Sequence, residues 1–118
     1  TLIILDDLAF SSKLSKRFSA LGKVFCNGRK FLVSCICLTQ TYTSIAKNIR
    51  INSSGLIIFN TSNKELEIIE KENNFLNSKS SFYEMFREYV KERFQFLVIN
   101  YSNNFEELYL DSEFQVIN

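Results

Sequence analysis

The sequence contains no histidine, no proline and only three glycines in 118 residues. Without an imidazole, neither a Cys/His zinc site nor a Ser-His-Asp triad is expected. Gly22, Gly28 and Gly55 lie far apart, so no phosphate-binding loop of the form G-x-x-x-x-G-K-S/T is present. The cysteines, Cys26, Cys35 and Cys37, are odd in number and lack C-x-x-C spacing. No apolar run approaches the ~20 residues that cross a bilayer, and the first residues lack the basic-then-apolar layout of a secretory signal. A soluble intracellular protein without a membrane partner is the expectation.

Charge of either sign is not in excess. Fourteen lysines and arginines stand against 13 acidic residues, a net charge of +1, which gives no global electrostatic case for nucleic acid. With 46% hydrophobic residues the chain has enough apolar material for a core of ordinary domain size.

What is present begins with Leu2-Ile3-Ile4-Leu5, a continuous aliphatic run of the kind found in strands covered on both faces, which stops on Asp6 and Asp7. Phe10, Leu14, Phe18, Leu21 and Phe25 then recur at helical spacing, with Lys13, Lys16, Arg17 and Lys23 at the charged positions of the same segment. That helix is expected to end near Asn27-Gly28. Residues 31–38, FLVSCICL, read as a second buried strand ending on Thr39 and Gln40, with Cys35 and Cys37 on one face as small core residues.

A short irregular or helical piece leads to a third strand at residues 55–59. Ser62–Glu65 and Ser81–Glu84 both match the Ser-x-x-Glu capping box, and each is expected to open a helix. Phe82, Met85, Phe86, Tyr89 and Val90 mark the clearest apolar helical face, FQFLVIN makes a further strand, and the last residues suggest a hairpin turning near Asp111-Ser112. The alternation of strands and helices predicts an α/β fold with a mainly parallel sheet flanked by helices and a C-terminal hairpin.

Adjacent carboxylates at a strand end repel, and a cation beside them relieves that cost; capping of the following helix is the simpler duty for the same residues. In company with NGR at residues 27–29, Thr-Gln and Tyr42 after the second strand, and Ile-Arg-x-Asn at residues 49–52, the run LIILDD resembles the C-terminal half of the genome-packaging ATPases of large double-stranded DNA viruses, in the FtsK/HerA superfamily of P-loop motors. Lys30 departs from the histidine common at its place in that family.

The resemblance spans residues 1 to about 117 and implies a partial P-loop NTPase domain of the RecA/ASCE type, beginning at the Walker B strand. It further implies that Asp6 helps hold Mg²⁺, that Asp7 is the catalytic carboxylate and a second metal ligand, and that Gln40 senses the γ-phosphate of ATP or positions water. Arg50, with Arg29 as rival, is the candidate finger reaching a neighbouring subunit's nucleotide. Implied partners are double-stranded DNA, further copies in a homo-oligomeric ring and capsid proteins, at a viral assembly site in the host cell or in the virion. Gln40 as an ordinary polar strand end and Arg50 as a surface ion-pairing residue remain open beside these roles.

Because the phosphate loop is missing, the whole chain is expected to be the C-terminal part of one ATPase domain, cut from a longer parent and inactive alone. A catalytically dead relic or stand-alone interaction module of the same fold is the alternative. In that superfamily the phosphate-loop strand separates the second and third strands named above, so both are expected to keep bare apolar edges and to make the isolated chain poorly soluble or marginally folded.

Overall fold

Leu2–Leu5 forms strand β1 and Ser34–Cys37 forms strand β2; they pair in parallel, with Leu2 opposite Ser34 and Leu5 opposite Cys37. The computed structural model describes residues 1–6 and 20–118. It divides into two units, Thr1–Ser53 and Ser54–Asn118. Of the first helix expected from the sequence, the described part is α1, Ala20–Asn27, followed by a 3₁₀ turn at Gly28–Phe31. Phe10, Leu14 and Phe18 fall outside the described residues, as do Lys13, Lys16 and Arg17.

The first unit buries Leu21, Ile45 and Ile49, the last of them on the short helix α2, Lys47–Ile51. Leu5, Phe25, Cys35, Cys37 and Ala46 pack against that cluster. Cys35 and Cys37 therefore share the inward face of β2, as their spacing predicts, with their Sγ atoms 3.7 Å apart. Burial pushes the Cys37 thiol up to about 12, helped by its contact with Cys35. The other face carries Leu2, Ile4 and Ile36, all exposed. A strand pair expected to be covered on both faces is thus covered on one, and its burial alternates with period two.

Strand β2 is also shorter than the apolar run that encodes it. Leu32 adopts φ 53°, in the left-handed region, so Phe31 and Leu32 belong to the turn before the strand.

In the second unit, β3 (Gly55–Phe59), β4 (Phe96–Asn100) and β5 (Tyr109–Leu110) form a sheet in the order β3-β4-β5. Both pairings are antiparallel, with Gly55 opposite Asn100 and Val98 opposite Leu110. This corrects the expectation of a mainly parallel sheet. Between β3 and β4 the chain has two helices, α3 (Asn63–Asn73) and α4 (Lys79–Tyr89). Two helices passing back and forth leave the next strand running against the first.

Ser62 caps α3, its Oγ accepting from the Glu65 amide at 3.3 Å, in the first of the two predicted boxes. The second helix starts earlier than its box predicts. Ser78 is the cap, accepting from the Ser81 amide at 3.1 Å, and Ser81 lies inside the first turn. Phe82, Met85, Phe86 and Val90 are buried, as their spacing predicts, together with Leu66, Ile69, Leu97 and Ile99. The terminal hairpin also forms: Leu110 bridges Val116, and the Asp111 carboxylate accepts from the amides of Glu113 and Gln115, both at 2.9 Å.

A buried polar network ties the end of α3 to the sheet. The Tyr109 hydroxyl donates to the Asn73 carbonyl at 2.6 Å and accepts from the Phe75 amide at 3.0 Å, while the Tyr101 hydroxyl donates to the Asn73 side chain. Burial, then the neighbouring Tyr109 and Glu72, raises Tyr101 from an ordinary 10.0 to about 12. Its folded state holds the phenolic proton more tightly than the unfolded chain does, so this contribution to stability is complete below pH 10 and disappears as pH rises toward 12. Urea unfolding between those values should show a falling midpoint that Tyr101→Phe flattens; equal alkaline slopes in the two proteins would contradict the assignment.

Candidate functional site

Parallel pairing brings the carboxyl ends of β1 and β2 to the same edge, the edge where open α/β sheets bind their ligands. The amide of Leu38 donates to the Leu5 carbonyl at 2.9 Å, extending the pairing one residue past β2. At this end of the pair lies an open pocket of about 270 Å³, lined by Asp6, Leu38, Thr39 and Gln40. Two of the side chains singled out by sequence, Asp6 and Gln40, thus meet at one site, and both are exposed.

Hydroxyl groups fasten the segment that follows. Thr39 Oγ1 donates to the Thr41 carbonyl at 3.1 Å and lies 2.7 Å from Ser44 Oγ, which itself donates to the Thr41 carbonyl at 2.7 Å. These contacts set the direction in which the chain leaves β2, immediately after Gln40. Thr39 stands in the sequence as a polar strand end and as part of the Thr-Gln pair; the hydroxyl-rich run Thr39, Thr41, Thr43, Ser44 is the signal for this fastening.

Arg50 does not line the pocket. Its Nη1 donates to the Ile45 carbonyl at 2.8 Å and its guanidinium carbon sits 4.7 Å over the ring of Tyr42. Stacking over an aromatic face is a favoured setting for arginine and limits its motion. Tyr42, quoted in the sequence only as an aromatic, is the shelf for that side chain. Arg29 stands exposed on the turn after α1. Asp7 lies outside the described residues.

The donors at the pocket are a carboxylate, an amide and a hydroxyl, a set that suits a hard cation such as Mg²⁺. Among the described residues no group of three or more His, Cys, Asp or Glu side chains converges as a metal cage. Mg²⁺ does not demand one, since it is commonly held by one or two carboxylates together with phosphate oxygens and water.

Gly28, in the Asn-Gly-Arg segment, is buried, and a Cβ on it would stand 3.0 Å from the Val33 carbonyl. The Val33 amide donates to the Gly28 carbonyl at 3.0 Å, so the turn closes by backbone meeting backbone. Glycine is required there for close approach.

The described architecture is the fold of a viral genome-packaging NTPase. The DNA-packaging ATPase B204 from Sulfolobus Turreted Icosahedral Virus aligns at a TM-score of 0.66 and 16% identity, over 99% of this chain and 52% of that one. The genome packaging NTPase B204 from Sulfolobus turreted icosahedral virus 2 aligns at 0.63 in its complex with ATP-gammaS and 0.64 in its complex with AMPPCP, both at 17% identity and over 86% of this chain. These alignments cover 48% and 50% of the two solved chains, so the present chain spans about half the length of the structures it matches. The family model described as "Poxvirus A32 protein" matches residues 1–112, and the chain belongs to that family. No curated protein matches the chain.

Gly28→Ala should lower stability by about 1–3 kcal/mol, since the new methyl forces the Val33 backbone away. Thermal unfolding checks this, and an unchanged melting temperature would show that the turn yields freely.

Proposed function

We propose that the chain is the Walker B and sensor half of an ATP-driven motor of the FtsK/HerA superfamily, which packages a double-stranded viral DNA genome into its capsid. The observation that carries this is the meeting of Asp6 and Gln40 on one open pocket at the carboxyl ends of two parallel strands. Membership of the poxvirus A32 family and the fold shared with packaging NTPases solved with ATP analogues support it. Among the described residues β2 pairs only with β1 and β3 only with β4, which suits a parent in which a strand carrying the phosphate loop stands between β2 and β3.

In this mechanism Asp6 would hold Mg²⁺ through its exposed carboxylate, and the ion would supply charge to offset that of the phosphates of bound ATP. Asp7, the next residue, polarises the attacking water. Gln40 orients that water or contacts the γ-phosphate. Arg50 leaves its rest over Tyr42 to stabilise the charge that develops on a neighbour's transferred phosphoryl group, a role worth about 10³ to 10⁵ in rate where it is known. A finger acting between subunits requires a ring of copies, and assembly next to the capsid puts the motor at the viral assembly site.

In the parent ATPase, Asp7→Asn should abolish hydrolysis while a labelled ATP analogue still binds; turnover at the original rate would remove Asp7 from the mechanism. Arg50→Ala should reduce turnover by about 10³-fold or more without changing the size of the assembly. Normal turnover in that variant would move the finger elsewhere.

A further inference from the structure

Charge is divided between the two units far more sharply than the net value of +1 indicates. Residues 1–53 carry eight lysines and arginines and two acidic residues, both of the latter after β1; residues 54–118 carry six and eleven. Each unit also exposes large apolar side chains set among its own majority charge.

In the first unit these are Phe31 and Leu32, 75% and 84% exposed, following directly on the exposed Arg29 and Lys30. The left-handed backbone at Leu32 and the bond from Val33 back to Gly28 hold this tip in its shape. Leu32 holds a backbone conformation uncommon for a non-glycine residue, and its side chain stands in water.

In the second unit, Phe105 is 76% exposed and Phe75 50%, their rings 5.6 Å apart, with Tyr101 edge-on to Phe75 at 6.3 Å. Exposed Glu106 and Glu107 follow Phe105, and the charge of Glu72 also acts on Tyr101. Clustered aromatics within a charged rim are the composition of a protein-docking centre.

We propose that the Arg29-Lys30-Phe31-Leu32 tip of one copy docks on the Phe75–Phe105 patch of the next, with Glu106 and Glu107 meeting Arg29 and Lys30. Charge complementarity between a basic tip and an acidic rim selects a second copy of this chain as the occupant. The contact joins unlike surfaces, and a head-to-tail contact of that kind closes into a ring when its rotation permits. The proposal deepens the ring assembly proposed above and rests on it for the identity of the partner. It gives Arg29 to docking and leaves the finger to Arg50.

The test is sedimentation velocity without nucleotide, at low and high salt, on the protein and two charge-reversed variants whose folding is checked by circular dichroism. R29E/K30E and E106K/E107K should each weaken association by about tenfold or more, and salt should weaken the original protein in the same direction. An equimolar mixture of the variants should restore association, because each supplies the complement that the other has lost. A protein that stays monomeric, a reversed variant that associates normally, or a mixture that stays dissociated would each overturn the docking face. Association driven by bare sheet edges would produce the second of these results. Since no nucleotide is present, failure here leaves the packaging function standing, and that function fails separately if Asp7→Asn retains turnover.

Discussion

Everything proposed for the site depends on the parallel pairing of two four-residue strands. Had β2 run against β1, Asp6 would lie at one edge of the sheet and Gln40 at the other. Parallel pairing needs a crossover between the strands, whose described part is α1 and the 3₁₀ turn, and it needs something to bury. Leu21, Ile45 and Ile49 supply that, accepting Leu5, Cys35 and Cys37 from the inward faces of the strands. The chemistry therefore sits on a small core, and the turn closed at Gly28 sets where β2 begins.

The second unit obeys a different logic. Its sheet is antiparallel, its buried residues come from two capped helices and a central strand, and its one concentrated polar feature, Asn73 with Tyr101 and Tyr109, is satisfied by hydrogen bonds within the unit. Buried Asn73 accepts from Tyr101 at its side chain and from Tyr109 at its backbone carbonyl, which ties the end of α3 to the sheet. We assign this unit a structural and, through its exposed aromatic patch, an assembly role.

Much of this was legible in the residues. Leu2–Leu5 and the longer run at residues 31–38 announced strands by their apolar content, Ser62 announced the start of α3, and the spacing of Phe82, Met85 and Phe86 announced the buried face of α4. Strand direction was legible but misread: two capping boxes between the third and fourth strands already announce two helices, and two helices return the chain antiparallel, whereas strand–helix alternation alone suggests a parallel sheet. The start of α4 was not legible, because Ser78 and Ser81 both offer a cap and the earlier serine takes it. Phe31 and Leu32 have the composition of a strand, yet their exposure follows from a left-handed residue that no local pattern predicts. Asp6 and Gln40 were given roles from the family resemblance, and Thr39 and Tyr42 were part of its motifs, while the contacts by which Thr39, Ser44 and Tyr42 shape the surroundings emerge from the geometry.

The central claim is that this chain completes a P-loop motor whose phosphate loop lies in the other half of the fold. The most direct measurement is the nucleotide sequence upstream of the codon for Thr1, read in frame over about a hundred codons, the span of an ordinary domain. We predict an open frame that encodes an apolar strand followed by G-x-x-x-x-G-K-S/T. A stop codon, or a native start at Thr1, would contradict the account and leave Asp6 and Gln40 without a nucleotide to serve.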